Sequence, residues 1–269
     1  TYGLDAPDPL LAGAVMTQFY DQGIVSPDDL VSKVLRGYPG DATITPTFRG
    51  CFAHLSGLDG HFTYRGLWNP YLDHDFLVGQ IGARRVGEVF RYGGDGNNLA
   101  GMAMELLTGR PMVRLLKDQL FDPLGMKDTS QFDLGFADQS TCWDTAIFGQ
   151  MLLNGGAYGK VRLFSEQTAL ATRPVPISPY FPNLTDKSLW WGAGLSHMFD
   201  VVEGPESREK NELGPNVFGH GSASSSIFRV DPDHGYVIVM GRQRVGDGVA
   251  HGRYRGLFMR MLKEAAEKD

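Results

Sequence analysis

Apolar residues recur every three to four positions near the start of the chain. In residues 10–22, LLAGAVMTQFYDQ, this spacing predicts a helix with one buried face, and Gly23 follows as its C-terminal stop. SPDDLVSKVL (26–35) predicts a second, short helix with Pro27 at its first position. The apolar positions of the first helix are Leu11, Ala14, Val15 and Phe19.

Three further helical patterns occupy the middle of the chain. One begins near Asn97 and ends at Gly109, a second covers Met112–Phe121, and a third covers Thr141–Leu153. The first residue of the third pattern and Asp144 have the spacing of a capping box. The first pattern predicts one apolar face, formed by Leu99, Met102, Ala103, Leu106 and Leu107.

The last third of the chain has a different pattern. Short runs rich in β-branched and aromatic residues alternate with turn residues, and DPDHG (231–235) predicts a hairpin loop. Residues 255–268 return to a helical pattern, with Leu257, Phe258, Met261, Leu262 and Ala265 predicted to face inward. Helices followed by antiparallel strands and a closing helix favour an α+β fold over alternating βαβ units. We expect an antiparallel β-sheet flanked by helices, plus a helical lobe.

The whole chain, 1–269, is expected to form a single unit. The helical lobe is predicted over about 37–173, and the sheet lobe over about 1–36 plus 174–269. A chain of 269 residues that is 42% hydrophobic has ample apolar material for such a core.

Charge and cysteine content exclude several classes of function. The net charge is −6, without a basic run, which argues against binding to nucleic acid or an anionic membrane. No apolar stretch reaches the ~20 residues that a bilayer span needs. The start TYGLDAPDPLL lacks a signal-peptide pattern, so we expect a soluble protein that is cytoplasmic, or secreted or periplasmic after processing. Cys51 and Cys142 fit no metal spacing, and no metal site is expected.

The glycine-rich turn RYGGDGNN (91–98) admits two interpretations. Gly94-x-Gly96 before a helix is superficially a dinucleotide-binding turn, but Leu99 stands where the third glycine belongs. No strand with a ribose-binding acid convincingly follows, so we expect no cofactor. The alternative is the rim of a catalytic cleft.

Four stretches decide between these interpretations. CFAHLSGLDG (51–60) is similar to the segment LLTHTSGL, and the block 92–130 resembles YSNxGYxLLGxIIExxTG…PLGMxDT. TAIFGQMLLNGGAYGKVRLFSEQT (145–168) is similar to LARFGQMLLNGG…G…LLS. Residues 218–240 are similar to a strand that bears a Lys/His-Thr/Gly-Gly motif and to the hairpin after it. Together they resemble the β-lactamase and penicillin-binding-protein superfamily, specifically its class-C-like esterase, D-aminopeptidase and carboxypeptidase branch. The resemblance runs from about Leu10 to the C-terminus.

This resemblance implies a cleft that binds a small-molecule substrate or ligand. Tyr92 takes the position of a catalytic tyrosine, and His220 begins the strand motif. Gly93 replaces the usual serine and Gly94 the usual asparagine, whose amide would orient the substrate. The resemblance implies substrate-binding positions at Gly94, Ser222, Ala223 and Ser224, with the Ala223 N–H as the oxyanion donor. His54 is expected to be buried and to bond the loop backbone.

Plain structural interpretations exist for both candidate catalytic residues. Tyr92 alone is typical of a half-buried aromatic at the end of a strand, and a lone strand histidine such as His220 is more often structural. The register of Tyr92 in an ungapped block favours a place in the cleft. For His220, the adjacent Gly-Ser and serine run leave room for a ligand, and the two interpretations stay balanced.

The nucleophile that the resemblance implies is missing. In the superfamily a serine and a lysine one helical turn apart perform acyl transfer. An ungapped count back from DQGIV (21–25) places them within APDP (6–9), which has Ala6 for the serine and Pro9 for the lysine. The chain's only Ser-x-x-Lys, Ser207–Lys210, falls in a charged stretch that we expect to connect two strands. In this sequence we expect no counterpart of the two strands that precede the motif in relatives.

Three hypotheses follow. The protein is a divergent enzyme that uses Tyr92 and His220 as acid/base groups on a small polar ester, amide or related substrate. Alternatively, it is a non-catalytic ligand-binding or regulatory relative. The third hypothesis is that the protein is one piece of a conventional ester or amide hydrolase. A partner segment or chain would then supply the missing N-terminal strands. A weaker variant makes Thr1 an N-terminal nucleophile.

Overall fold

The computed structural model describes residues 2–3, 8–58, 85–130, 139–198, 213–221, 226–241, 257–262 and 264–265. Its helices are α1 (Asp8–Asp21), α2 (Phe48–Phe52), α3 (Asp95–Thr108), α4 (Met112–Leu116), α5 (Asp122–Leu124), α6 (Cys142–Leu153) and α7 (Glu166–Ala171). A 3₁₀ helix covers Val31–Lys33, a π-helical turn covers Lys117–Phe121, and residues 257–262 are helical.

The strands are β1 (Tyr2–Gly3), β2 (Gln139–Ser140), β3 (Ala157–Tyr158), β4 (Val161–Arg162), β5 (Val175–Pro176), β6 (Trp190–Trp191), β7 (Ser196–His197), β8 (Phe218–Gly221), β9 (Ile227–Asp231) and β10 (Tyr236–Met240). The main sheet has six strands in the order β10-β9-β8-β7-β6-β5, and every neighbouring pair is antiparallel. Two small ribbons, β1-β2 and β3-β4, lie outside it. The predicted α+β class, an antiparallel sheet with helices, is confirmed. The lobe boundaries stay a prediction.

Helix α1 crosses the centre of the core. From Leu10 to Phe19 every residue is buried, on all sides of the helix and not only on the predicted face. At Gly13 an added Cβ would lie 2.1 Å from the carbonyl oxygen of Ala193, so only glycine permits this close approach of helix and β6–β7 turn. The helix ends as predicted, at Gly23 with a φ of +68°.

Helix α3 positions the glycine-rich turn. It begins at Asp95 and ends at Gly109 in the left-handed conformation, as the pattern predicted for the C-terminus. Its residues 95–104 are buried all round, because α3 packs against α1, α2 and α4 at once. The predicted inward positions of Leu106 and Leu107 are wrong: these side chains are 63% and 38% exposed, since the last turn leaves the core.

The helical prediction for Met112–Phe121 is right in extent but not in type. The helix changes to a π-helical turn at Lys117 and continues to Leu124. Pro123 has no N–H to donate to the carbonyl of Gln119, and the buried Gln18 side chain donates to that carbonyl instead, at 3.0 Å. The local pattern therefore predicted the position of the helix. A side chain from α1 supplies the hydrogen bond that the carbonyl in the π-helical turn lacks.

Two further predictions are corrected. Residues 26–35 form turns with only a 3₁₀ helix at Val31–Lys33. In the C-terminal segment Leu257, Met261 and Ala265 are exposed, and Met259 is the buried residue. Phe258 and Leu262 pack against the apolar cluster of Ile227, Ile238 and Met259 as predicted, so the covered face is shifted from the predicted one rather than opposite to it.

Local signals at caps and turns are confirmed. Thr141 Oγ1 accepts from the Asp144 N–H at 3.1 Å, as the capping spacing predicted. The Asp144 carboxylate itself turns to the N–H of Asp128 and the hydroxyl of Thr129, both at 2.8 Å. The hairpin between β9 and β10 closes at Gly235, whose N–H donates to the Asp231 carbonyl. In the described part of the chain, no helix is both long enough and apolar enough to cross a membrane.

Candidate active site

Tyr92 lies at the end of an extended segment that runs beside the residues after α2. The N–H of Gly87 donates to the carbonyl of Leu55, and the N–H of Arg91 donates to that of His54, both at 3.0 Å. Tyr92 then precedes α3, which begins three residues later. Its side chain is 55% exposed and therefore accessible to a ligand from solvent.

His220 lies on β8, near the middle of the main sheet, opposite Phe228 of β9. The side chain is only 5% exposed. Its Nδ1 lies 2.6 Å from the Gly221 carbonyl oxygen, which can only accept, so Nδ1 carries the proton and Nε2 is a free acceptor. Burial, with a smaller contribution from the charge of Arg229, lowers the pKa of His220 to about 4. The imidazole is therefore neutral at pH 7.

The two candidate catalytic side chains meet. Tyr92 Oη lies 3.4 Å from His220 Nε2, and the ring centroids are 5.8 Å apart. With Nδ1 protonated, the hydroxyl donates and the imidazole accepts. The contact is long, as hydrogen bonds of ligand-free catalytic sites often are. A neutral base behind an accessible hydroxyl can accept a proton from it; whether the pair is catalytic stays a prediction.

His54 supports this pair from behind. It is buried, and its Nδ1 lies 2.9 Å from the Gly93 carbonyl oxygen, so the predicted bond to the loop backbone is confirmed. Its ring centroid is 4.5 Å from that of Tyr92. Among the described residues it is the only non-glycine with a positive φ, +56°. Burial, and then the neighbouring His220, lower the pKa of His54 to about 3.

An aromatic wall completes the surroundings, and the sequence reasoning missed it. Trp191 on β6 has its ring centroid 4.8 Å from that of His54 and 6.2 Å from that of His220. Phe90 lies against both His54 and Trp191, at 5.6 and 5.4 Å. The only available signal was the tryptophan pair at 190–191, in which strand alternation turns one ring inward. This wall excludes water from the inner side of the site.

A buried arginine fixes the strand that carries His220. Arg229 of β9 is 3% exposed, and its Nη1 donates to the carbonyls of His220 and Phe228, each at 2.9 Å. The backbone on both sides of the β8–β9 ladder is held by one side chain. The backbone at His220 is therefore held by a side-chain hydrogen bond in addition to the strand pairing.

The remaining predicted site residues lie in different situations. Gly94 is the N-cap of α3 and adjoins the turn after Tyr92. Ser222, Ala223 and Ser224 lie outside the described residues, as do Ala6 and the sequence Ser207–Lys210. In the described parts of the chain, no group of three or more His, Cys, Asp or Glu side chains could hold a metal ion. The described part of the site is therefore a contacting tyrosine and histidine in an aromatic surround.

A mixed α+β fold that brings a tyrosine before a helix into contact with a histidine on the main sheet agrees with the β-lactamase-like class of protein that the sequence resembles. The family model described as Beta-lactamase matches residues 9–256. The chain belongs to this family. The predicted relationship to β-lactamases, penicillin-binding proteins and esterases is confirmed.

Solved structures support the same fold. A family VIII carboxylesterase superposes with a TM-score of 0.76 at 15% identity, covering 99% of this chain and 83% of its own. The D-amino acid amidase from Ochrobactrum anthropi SV3 superposes with a TM-score of 0.72 at 17% identity, covering 98% and 86%. At these identities the likeness shows the fold alone.

Among curated proteins, a protein of Salmonella newport (strain SL254) named for a D-alanyl-D-alanine carboxypeptidase is similar over 106 residues at 28% identity. The match covers 37% of this chain and 21% of the Salmonella protein. The chain thus matches only about a fifth of the length of these curated relatives.

Proposed function

We propose that the protein hydrolyses a small polar ester or amide in the cleft at Tyr92, by general acid/base chemistry without an acyl-serine. The observation that carries the proposal is the 3.4 Å contact between the exposed Tyr92 hydroxyl and the buried, neutral His220 imidazole. The amidase and the carboxylesterase with the same fold are named for such bonds. Their chemistry supports the substrate class here.

In the proposed reaction His220 Nε2 takes the proton of Tyr92 Oη while Tyr92 takes one from a water molecule. The resulting hydroxide adds to the substrate carbonyl carbon and gives a tetrahedral intermediate. The proton then returns from His220 through Tyr92 to the leaving oxygen or nitrogen, and its bond to carbon breaks. Gly94 and the segment Ser222–Ser224 would bind the substrate, with the Ala223 N–H donating to the oxyanion.

The test is hydrolysis of a panel of short p-nitrophenyl esters and anilides by the protein and by His220→Gln. We expect His220→Gln to lower kcat/KM by about 10²-fold or more, as loss of a general base does. His234→Gln is the matched control, since His234 lies on the β9–β10 hairpin. Equal turnover by His220→Gln, or a fluorescent-penicillin adduct mapped to a serine, would contradict the proposal.

A second candidate is a ligand-binding relative without catalysis. Ala6 and Pro9, at the positions of the missing serine and lysine, favour it. It predicts saturable binding of small esters or amides, detected by calorimetry, with no turnover in the same panel. The hypothesis of a partner segment has its own test, the intact mass of the active protein. A mass of 29.6 kDa without a partner chain would show that activity needs no additional segment.

A further inference from the structure

A cavity with a volume of about 260 Å³ lies apart from Tyr92 and His220. Three segments form it: residues 42–47, 85–88 and 180–183. Neither Tyr92 nor His220 lines it. We call it the threonine pocket, because Thr43, Thr45 and Thr47 line one side.

The threonine side of the pocket offers a ligand one accessible hydrogen-bond acceptor, the hydroxyl oxygen of Thr43. Thr43 Oγ1 donates to Asp41 at 2.7 Å, and Thr45 Oγ1 donates to the Pro39 carbonyl at 2.6 Å. Thr45 is fully buried, and Thr47 Oγ1 already accepts from the Gly50 N–H at 3.0 Å. Thr43 is exposed, and because its single hydrogen is used on Asp41, its oxygen keeps a lone pair for a ligand. A ligand that supplies its own O–H donors complements this side.

Tyr180 offers a supported aromatic ring on another side. It is 46% exposed, and the guanidinium of Arg49 lies 3.7 Å from its ring centroid. Arg49 is itself held by two hydrogen bonds to Asp28, at 2.7 and 3.0 Å. Arg49 does not line the pocket, so it supports the ring from outside. A ring fixed in this way can stack against the apolar face of a ligand ring.

The charged residues of the pocket neutralise each other. Arg85 and Glu88 both line it and form an ion pair at 3.3 Å. Neither an anionic nor a cationic ligand gains a net attraction from this pair. The two side chains still offer donors and acceptors to a neutral polar ligand.

We propose that the threonine pocket binds a neutral, hydroxyl-rich ring of monosaccharide size. Its apolar face packs on Tyr180, and one of its hydroxyls donates to the exposed Thr43 oxygen. The cavity is smaller than the ~300–1,000 Å³ of pockets for drug-sized ligands, which limits the ligand to about one ring. Ligand binding in the threonine pocket does not depend on the proposed hydrolysis, because neither Tyr92 nor His220 lines this pocket.

The experiment is saturation-transfer NMR with methyl β-glucoside at up to about 10 mM, a range that detects weak binding. Glucuronate and cyclohexanol are compared as a charged ring and an apolar ring. We expect binding of the glucoside, with at least about tenfold weaker binding in Tyr180→Ala and in Thr43→Val, which loses the acceptor but keeps the shape. Tyr236→Ala, which removes an exposed tyrosine outside the pocket, is the control and should bind as the unchanged protein does.

If Tyr180→Ala fails to fold, Thr43→Val still decides the test. Thr43 is exposed, and replacing its hydroxyl leaves the contact between Arg49 and Tyr180 intact. Absence of transfer from the glucoside overturns the proposal. Unchanged binding in Thr43→Val, or equal binding of glucuronate or cyclohexanol, overturns it too. Retained glucoside binding in Tyr92→Phe, alongside lost turnover, would separate this site from the cleft.

Discussion

The family resemblance assigns two parts of this molecule to one cleft. The two parts differ in whether they carry the chemical groups that the resemblance implies. At Tyr92 and β8, a hydroxyl and an imidazole lie 3.4 Å apart. In the sequence APDP (6–9), where the resemblance implies a serine and a lysine, the chain has Ala6 and Pro9. Yet α1 still packs fully, with Leu10 and Val15 at 1% and 0% exposure.

The difference teaches that packing and chemistry are separate requirements of one helix. The burial of α1 depends on its apolar residues and on Gly13, which allows the close approach to Ala193. None of these contacts needs a nucleophile at the helix start. A family member can therefore keep the fold while the chemistry on it changes.

The largest expected effect concerns the Tyr92 hydroxyl. We expect Tyr92→Phe to reduce ester or amide turnover by about 10²–10⁴, the usual loss for a general acid/base, because Phe cannot pass a proton to His220. Its melting temperature should hardly change, since Tyr92 is largely exposed. Initial-rate kinetics and thermal unfolding measure the two effects. Tyr180→Phe is the control, and an equal loss in that variant would remove Tyr92 from the chemistry.

His54 should matter for both folding and the site. We expect His54→Ala to lower the free energy of unfolding by about 2–4 kcal/mol, since a buried ring and its bond to Gly93 are lost. His54→Asn should lose less, because asparagine tolerates a φ of +56° better than alanine does. Urea unfolding compares the two variants. If both lose the same amount, the backbone at this residue carries no strain.

The close approach between α3 and α2 gives a smaller effect. A Cβ at Gly96 would lie 2.4 Å from the Cys51 carbonyl oxygen, so the helices must separate. We expect Gly96→Ala to cost about 1–3 kcal/mol of unfolding free energy in a denaturant titration, as overpacking does. At Gly93 nothing lies within 4 Å of an added Cβ, and Gly93→Ala should stay within about 0.5 kcal/mol. The reverse order of the two variants would contradict the observed helix contact.

The smallest effect is a pH dependence at the end of α3. Burial raises the pKa of Glu105 to about 7, against an opposing hydrogen bond from the Met112 N–H. Because the folded state holds this proton more tightly than the unfolded state, ionisation destabilises the fold. The contribution of Glu105 to the free energy of unfolding should fall as the pH rises from about 4.5 to about 7.

Glu105→Gln should remove this part of the pH dependence while keeping an acceptor for Met112. Urea unfolding at a series of pH values measures it, with the exposed Glu166→Gln as the control. The buried His54 and His220 act in the opposite direction, since their lowered pKa values make stability fall as the pH drops below about 6.5. A difference between Glu105→Gln and the unchanged protein that grew below about pH 4.5 would contradict the assignment to Glu105.

Local signals were enough to predict several helix ends. Gly23 and Gly109 adopt the left-handed conformation that ends a helix, and Thr141 caps α6, because these interactions join residues only a few positions apart. The inward faces of helices were predicted less well. Leu106 and Met261 fit a helical period but are exposed, because neighbouring elements decide which face is covered.

The sequence by itself determined the family, the α+β class and the absence of a serine and a lysine at positions 6 and 9, since these are properties of residue types and their order. Only the tertiary structure decided that Tyr92 and His220, 128 residues apart, stand within 3.4 Å of each other. It also decided that Trp191 lies behind them. Such contacts follow from strand order and helix packing, and no short window of sequence encodes either one.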